Sequence, residues 1–541
     1  MKRKKLTALL LAATMTVSLV LTGCGGNNGT VKEENTQPDA EESSNESAEG
    51  TDAEEAAREG GTYTGKDTLV IAESGDCGTL APTGATVDCR SDINTQLYES
   101  LFRFGYNMEM VPKLATDWEW VDNTHCTFHL REGVKYHDGR DFTAADVLFT
   151  LKLNCEDANT SGIVTYLDYD NCVIEDDYTI TLAFTEQNAF NLTKLSAMNI
   201  VNEEAYNESG DNMATHPVGT GPYKFESSVP GMSYTLTAFD DYWDGAPEYI
   251  KTVTFTVIAE GSQRTNALQS GEIDINKALQ SSDFAYLDGL DEYTAVSKAG
   301  TNTQCLFFNM TENSPFASKE LRQAVAYAVN NEEMNKTAYD GLSVPATGPW
   351  SPGMMDYDAG WTNPMYGQDK VKAKELVDSV GAPSESITIL YNGDAQNEIM
   401  AQILQANLTE IGIPAEISSV DAGVFWSAMG DPTGWDIGIM GCSAPSGYGL
   451  DSMTAFLTGL NFQGWSGTEY DRMAELCVMA SVADSDEKRL EYTKELWDLI
   501  EEEVPLYGVV ALSFMMAHDS TLELDIYDQF TVYVKDLKFN N

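Results

Sequence analysis

Between Ile387 and Val420 the chain carries a strand, a helix and a strand in succession, and that order restricts the fold more than any other stretch. Ile387–Tyr391 and Ala415–Val420 are short strand-like runs, and between them Met400, Leu404, Leu408 and Ile411 return at helical spacing on one face. A strand joined to a strand through a helix favours a parallel pair. Strands of the half-buried kind recur elsewhere. In Thr124–Arg131, Cys126, Phe128 and Leu130 point one way while His125, Thr127, His129 and Arg131 point the other. Val253, Phe255 and Val257 alternate with threonines in Lys251–Val257. Helical stretches follow at Leu321–Val329, with Ser318 as its N-cap, and at Lys488–Glu503, stopped before Pro505. Strands and helices interleave throughout, so the class is mixed α/β, without an internal repeat.

The first sixty residues are of another kind. Lys2-Arg3-Lys4-Lys5 precedes an apolar run, Leu6–Leu21, that is shorter than the ~20 residues a spanning helix needs. A basic stretch, an apolar stretch and small residues before a cleavage point make an export signal. Leu21-Thr22-Gly23-Cys24 resembles the lipobox of bacterial lipoproteins, which implies a signal peptide over 1–23 and a diacylglycerol on Cys24 at the mature N-terminus. Residues 24–61 are rich in Glu, Asp, Ser, Asn and Gly and hold almost no large apolar side chains. Such a segment cannot bury enough surface to offset its ordering entropy and is expected to be a disordered acidic linker. The rest is long enough for two or more domains and carries no second apolar stretch of spanning length.

A formal charge of −53 excludes the basic footprint that a nucleic acid requires, and equally disfavours docking on anionic lipid. Eight cysteines follow Cys24, none in a close-spaced Cys-x-x-Cys pattern, so both disulfides and free thiols stay open. The chain contains no Gly-x-Ser-x-Gly elbow, no His-Glu-x-x-His and no phosphate-binding loop. His125 and His129 lie roughly 13 Å apart along a strand, too far to share one metal ion. His137-Asp138-Gly139 reads as a tight turn before it reads as a catalytic dyad. No catalytic residue, metal ligand or cofactor site is expected. A secreted hydrolase would need a nucleophile with its base, or paired carboxylates, and neither can be assembled.

Several segments together resemble one family. Pro112-Lys113-Leu114-Ala115-Thr116-Asp117-Trp118-Glu119-Trp120 is followed by Thr127–Gly139 and by Phe142-Thr143-Ala144-Ala145-Asp146-Val147. Pro217–Tyr223, Tyr242–Pro247, Ala267–Asp274 and Leu321–Ala328 continue the series in order. The set is similar to the signature of the family 5 solute-binding proteins, the peptide-, dipeptide- and nickel-binding components of ABC importers. Physically these residues are scaffold: Asp138-Gly139 turns a hairpin, Thr143 with Asp146 makes a capping-box variant, and Thr220–Tyr223 is a turn into a strand.

The resemblance implies a two-lobed periplasmic-binding-protein-like clamp (type II, cluster C-like) that closes on solute. One lobe would comprise 62–303 plus 505–541, with an inserted subdomain at about 93–215, and the other 304–504. The crossovers would fall near Cys305-Leu306-Phe307 and Pro505-Leu506-Tyr507. The ligand-facing loops would be Gly75–Thr79, with Asp76, Cys77 and Thr79, after a first strand Leu69–Ala72, and Gly441-Cys442-Ser443-Ala444-Pro445 after a strand Trp435–Met440. Trp350, Trp426 and Tyr507 are candidates for walls of the site, or equally for core and hinge packing. Peptide binders of this family commonly place an acid shortly after the second loop to pair the α-amino group. Here that place reads Ala444–Gly449, and the nearest acid is Asp451. Asp451 after a loop shift, or Asp76 from the opposite lobe, would have to supply the counter-charge. The implied protein is a monomer, lipid-anchored at the outer face of the cell membrane, extracellular in a Gram-positive bacterium and periplasmic otherwise. It would capture a peptide and deliver it to an ABC permease and ATPase. The same clamp holding a non-peptide solute (sugar, opine or metal chelate), or serving as a surface sensor, is the alternative.

Overall fold

The computed structural model describes residues 65–83, 88–105, 110–157, 160–161, 164, 166–185, 188, 190–444, 446–483, 485–524 and 531–540. The leader, Cys24 and the acidic segment lie outside the described residues. One large sheet organises the remainder. Its strands run in the order Ala415–Ser419, Ile387–Tyr391, Ile437–Ser443, Tyr293–Phe308, Leu506–Asp519, Ile275–Asn276, Thr68–Glu73, Thr252–Val257, Ser233–Ala238, Tyr223–Val229. A two-residue strand, Val344–Pro345, pairs off this path with Leu506–Asp519.

The two longest strands, Tyr293–Phe308 and Leu506–Asp519, pair antiparallel at the centre and serve both halves of the sheet. On one side Ile387–Tyr391 lies parallel to Ala415–Ser419 and to Ile437–Ser443. The intervening helix, Ala395–Ile411, buries Met400, Leu404, Leu408 and Ile411 against the sheet, as their spacing demands. Asp394 caps its first turn by accepting from the Gln396 and Asn397 amides. Both faces of this half are covered. Leu306, Phe308, Ile437 and Ile439 face the layer of Ala395–Ile411, while Cys305, Phe307, Met440 and Cys442 face a second apolar layer rich in tryptophan.

A separate four-stranded antiparallel sheet, ordered Ala115–Trp120, His125–Leu130, Thr179–Ala183, Val173–Asp176, forms its own core with helix Ala144–Glu156. Cys126, Phe128 and Leu130 are buried and His125, His129 and Arg131 half-buried, as the alternation predicts, whereas Thr127, expected on the outward face, is buried with its hydroxyl against that of Thr181. Asp146 accepts from the Thr143 amide at the start of the helix. His137 is no catalytic base. Its Nε2 donates to the Gly221 carbonyl, its Nδ1 accepts from the Gly219 amide, and burial pulls its pKa down to about 4. Asp138 instead pairs with Arg140. Cys126, Cys155, Cys172, Cys305, Cys442 and Cys477 are free thiols. No helix among the described residues is long and apolar enough to cross a membrane.

Two consequences can be measured. A Cβ on Gly219 would overlap the Leu97 carbonyl oxygen, so Gly219→Ala should lower stability by about 3 kcal/mol in urea unfolding. Burial pushes the Glu501 carboxyl up to about 8, against the Tyr366 hydroxyl and Asn363 side chain that favour its charged form. The folded chain therefore holds this proton more tightly than the unfolded one. The stability it contributes is complete below the ordinary value of 4.5 and is lost as pH rises through about 8. Glu501→Gln should raise the melting temperature at about pH 8 and leave it nearly unchanged at about pH 4.5.

Candidate functional site

Strand direction locates the site. Thr68–Glu73 is parallel to Ile275–Asn276, which is antiparallel to Leu506–Asp519, which is antiparallel to Tyr293–Phe308. Ile437–Ser443 is antiparallel to Tyr293–Phe308. Thr68–Glu73 and Ile437–Ser443 therefore run toward each other, and their carboxyl ends face across the crossover pair. In α/β sheets the region outside the carboxyl ends is where ligands bind. Registers give the width of the gap. Ala72 is level with Asn276, Ala517 and Ala295, while Ser443 is opposite Asn302. The first set thus ends near Val296 and the second at Asn302, about 20 Å apart at strand rise.

Within this gap the central pairing is irregular. The register between the crossover strands shifts between Ala299 and Thr303, and again between Gln304 and Cys305. Polar side chains occupy that segment. Asn302 Oδ1, Thr303 Oγ1 and Gln304 Oε1 are buried and accept no hydrogen bond among the described residues. Buried polar atoms are nearly always paired, so these oxygens stand out; Asn302 and Gln304 share one face of the strand and Thr303 points to the other.

The sequence placed Gly441, Cys442 and Ser443 in a loop after a strand ending at Met440. The strand instead continues through Ser443, with Gly441, Cys442 and Ser443 opposite Gln304, Thr303 and Asn302. Glycine at 441 leaves room for the Asn302 side-chain amide, which a Cβ there would crowd. Cys442 is buried and Ser443 exposed. Beyond it, helix Gly449–Met453 begins, and Asp451 lies half-buried in its first turn.

The acid that meets this segment comes from another part of the chain. The fully buried Asp356 accepts from the Gly449 amide at 2.7 Å and the Leu450 amide at 2.8 Å. Burial raises its pKa, and those two amides oppose the rise. Ser351 donates to the Gly300 carbonyl at 2.5 Å, and the Met355 amide to the Gly447 carbonyl at 2.8 Å. Residues 351–356 thus tie the irregular stretch of the crossover strand to the segment after Ser443. Trp350 is buried with its indole against Gly449, and its Nε1 makes no hydrogen bond meeting ordinary geometry. Nothing in local sequence pattern pointed to Asp356, because its partners are almost a hundred residues away.

From the opposite side, Asp76 is exposed and accepts from the Tyr234 hydroxyl, Cys77 is buried, and Thr79 is half-buried. The other two aromatic candidates differ in their surroundings. Tyr507 is buried and stacks on Tyr366 at 4.6 Å, donating to the Met365 carbonyl. Trp426 is 51% exposed on helix Ala422–Met429, beside Phe456 and Phe462. A cavity of about 530 Å³ opens between the four-stranded subdomain and the segment around Tyr448, walled by Trp118, Trp120 and Leu192 on one side and Tyr448 and Arg489 on the other. Among the described residues, no cluster of three or more His, Cys, Asp or Glu could hold a metal ion.

The comparisons agree with this architecture. The model of the bacterial extracellular solute-binding proteins, family 5, matches residues 109–464. The glutathione-binding protein GsiB of Salmonella paratyphi A is 25% identical over 84% of this chain and 91% of its own length. The ABC transporter substrate-binding protein CtaP of Listeria monocytogenes superposes with a TM-score of 0.78 at 24% identity, over 88% of this chain and 100% of that one. The oligopeptide-binding protein AppA of Bacillus subtilis, solved with a nonapeptide, gives 0.69 at 22% identity over 88% and 99%. Two-lobed in fold and matched over most of its length, the chain belongs to the bacterial extracellular solute-binding proteins of family 5.

Proposed function

We propose that this chain captures a peptide between its lobes and delivers it to an ABC permease, performing no chemistry itself. The observation that carries the reading is the pair of oxygens at Asn302 and Gln304, on one face of the strand and without a hydrogen-bond partner among the described residues, set in the gap between opposed strand ends. A peptide backbone offers the donors that such acceptors need. The relatives support the class: GsiB is named for glutathione and AppA was solved with a nonapeptide. Lobe boundaries follow the sequence reading, 62–303 plus 505–541 and 304–504, with the insertion at about 93–215. Asp76, Cys77 and Thr79 approach the ligand from one lobe and Gly441, Cys442 and Ser443 from the other. A lipid on Cys24 moors the clamp to the outer face of the membrane through the acidic segment.

The ligand's ammonium needs an anion, because a buried unpaired charge costs several kcal/mol. Among the described residues, Asp356 is the carboxylate that bonds the turn at Gly449, and both of its oxygens already accept backbone amides. Asp76 and Asp451 are therefore the two candidates.

Three measurements test these statements. A pooled peptide library should raise the melting temperature of the purified protein by mass action, and a shift with another metabolite but with no peptide would overturn the peptide class. With a peptide in hand, Asp76→Asn or Asp451→Asn should weaken binding roughly tenfold or more, and N-acetylated peptide should lose that dependence. If neither variant changes affinity, the solute carries no free amine. Asp356→Ala should cost about 1–2 kcal/mol as a lost helix cap, read by denaturant unfolding. Separately, Cys24→Ala should release the chain from cells into the medium.

A further inference from the structure

We infer that Arg489 forms a subsite for the solute's terminal carboxylate in the cavity between the lobes, with Trp118 and Trp120 walling the last side chain. This rests on the peptide reading above and names which end of the ligand lies there.

Arg489 is the one Lys or Arg among the residues lining the 530 Å³ cavity, in a chain of net charge −53. A guanidinium in so acidic a protein is a local reversal of the field, and it draws anions. Its position is fixed. The guanidinium sits over the Tyr448 ring at 5.3 Å, Nη1 donates to the Tyr448 hydroxyl at 3.3 Å, and the side chain is only 13% exposed. Tyr448, which lines the cavity, belongs to the segment that follows Ser443. The tryptophans arrive from the other lobe, on strand Ala115–Trp120.

Two carboxylates also line the cavity, and neither blocks the site. Asp122 is engaged by its own turn, accepting the Thr124 amide at 2.7 Å and the His125 amide at 2.9 Å. Asp486 pairs with Arg489 but is 96% exposed. An ion pair with so exposed a partner contributes about 0–1 kcal/mol, so an incoming carboxylate can take its place. The planar fork of arginine suits a carboxylate, with two parallel N–H donors where lysine offers a point charge. A carboxylate bound there would be held by one lobe while its side chain packs on the other, so binding favours the closed clamp.

The experiment uses two peptide pools of the same sequences lacking Asp and Glu, one with free C-terminal acids and one with C-terminal amides, against the full chain in detergent. The parent protein should bind free acids roughly tenfold or more tightly than amides, read as a larger thermal shift and by calorimetric titration. Arg489→Gln should erase the preference while amide binding persists, and Arg489→Lys should restore part of it. Asp486→Asn should tighten free acids several-fold. Equal binding of acids and amides by the parent, or an unchanged preference in Arg489→Gln, overturns the subsite while leaving peptide capture intact. No shift from either pool overturns the peptide reading and this inference with it.

Discussion

The antiparallel pairing of Tyr293–Phe308 with Leu506–Asp519 is the constraint on which the rest of the molecule depends. These are the only covalent routes through the large sheet between its two halves, and they run side by side over most of their length. At both ends the ladder is regular and its side chains enter ordinary cores: Phe307 and Leu506 on one side, Ala295 and Met515 on the other. In the middle the register slips twice, and the residues there are Gly300, Thr301, Asn302, Thr303 and Gln304. Irregular pairing with a polar sequence makes this the least regular part of the central ladder. The same segment carries the unpaired oxygens of Asn302, Thr303 and Gln304.

Around that pair, each lobe presents the carboxyl ends of its parallel strands. The arrangement follows from chain direction alone. Strand–helix–strand units orient their strands alike, and joining two such sets through an antiparallel pair makes them face each other. What fills the gap is then a matter of loops. Residues 351–356 are the most consequential of these, since Ser351 and Asp356 join the crossover strand to the segment after Ser443. Four hydrogen bonds thereby tie the crossover strand, through residues 351–356, to the segment after Ser443.

Much of the scaffold was legible in the sequence because its signals are local. The burial of Met400, Leu404, Leu408 and Ile411, the caps at Ser318 and Thr143, and the turn at Gly139 each follow from a few adjacent residues. The end of the strand at Ser443 was misjudged for the opposite reason. Gly441 looks like a loop residue in sequence, whereas here it makes room for the Asn302 amide on a strand distant in the chain. Tyr507 could have been wall or core by composition, and its stacking on Tyr366 made it core.

By itself the sequence determined the class, the family and the order of elements, because periodicity, caps and turn chemistry are written over short distances. It also marked out the leader and the acidic segment, which composition alone distinguishes from a body able to bury a core. Only the tertiary structure decided which polar groups are left unpaired in the crossover strand, which amides Asp356 accepts, and that Arg489 lines one cavity with Trp118 and Trp120. Those facts depend on contacts between residues dozens to hundreds of positions apart. Hydrogen bonding and ion pairing are short-ranged in space and indifferent to separation along the chain.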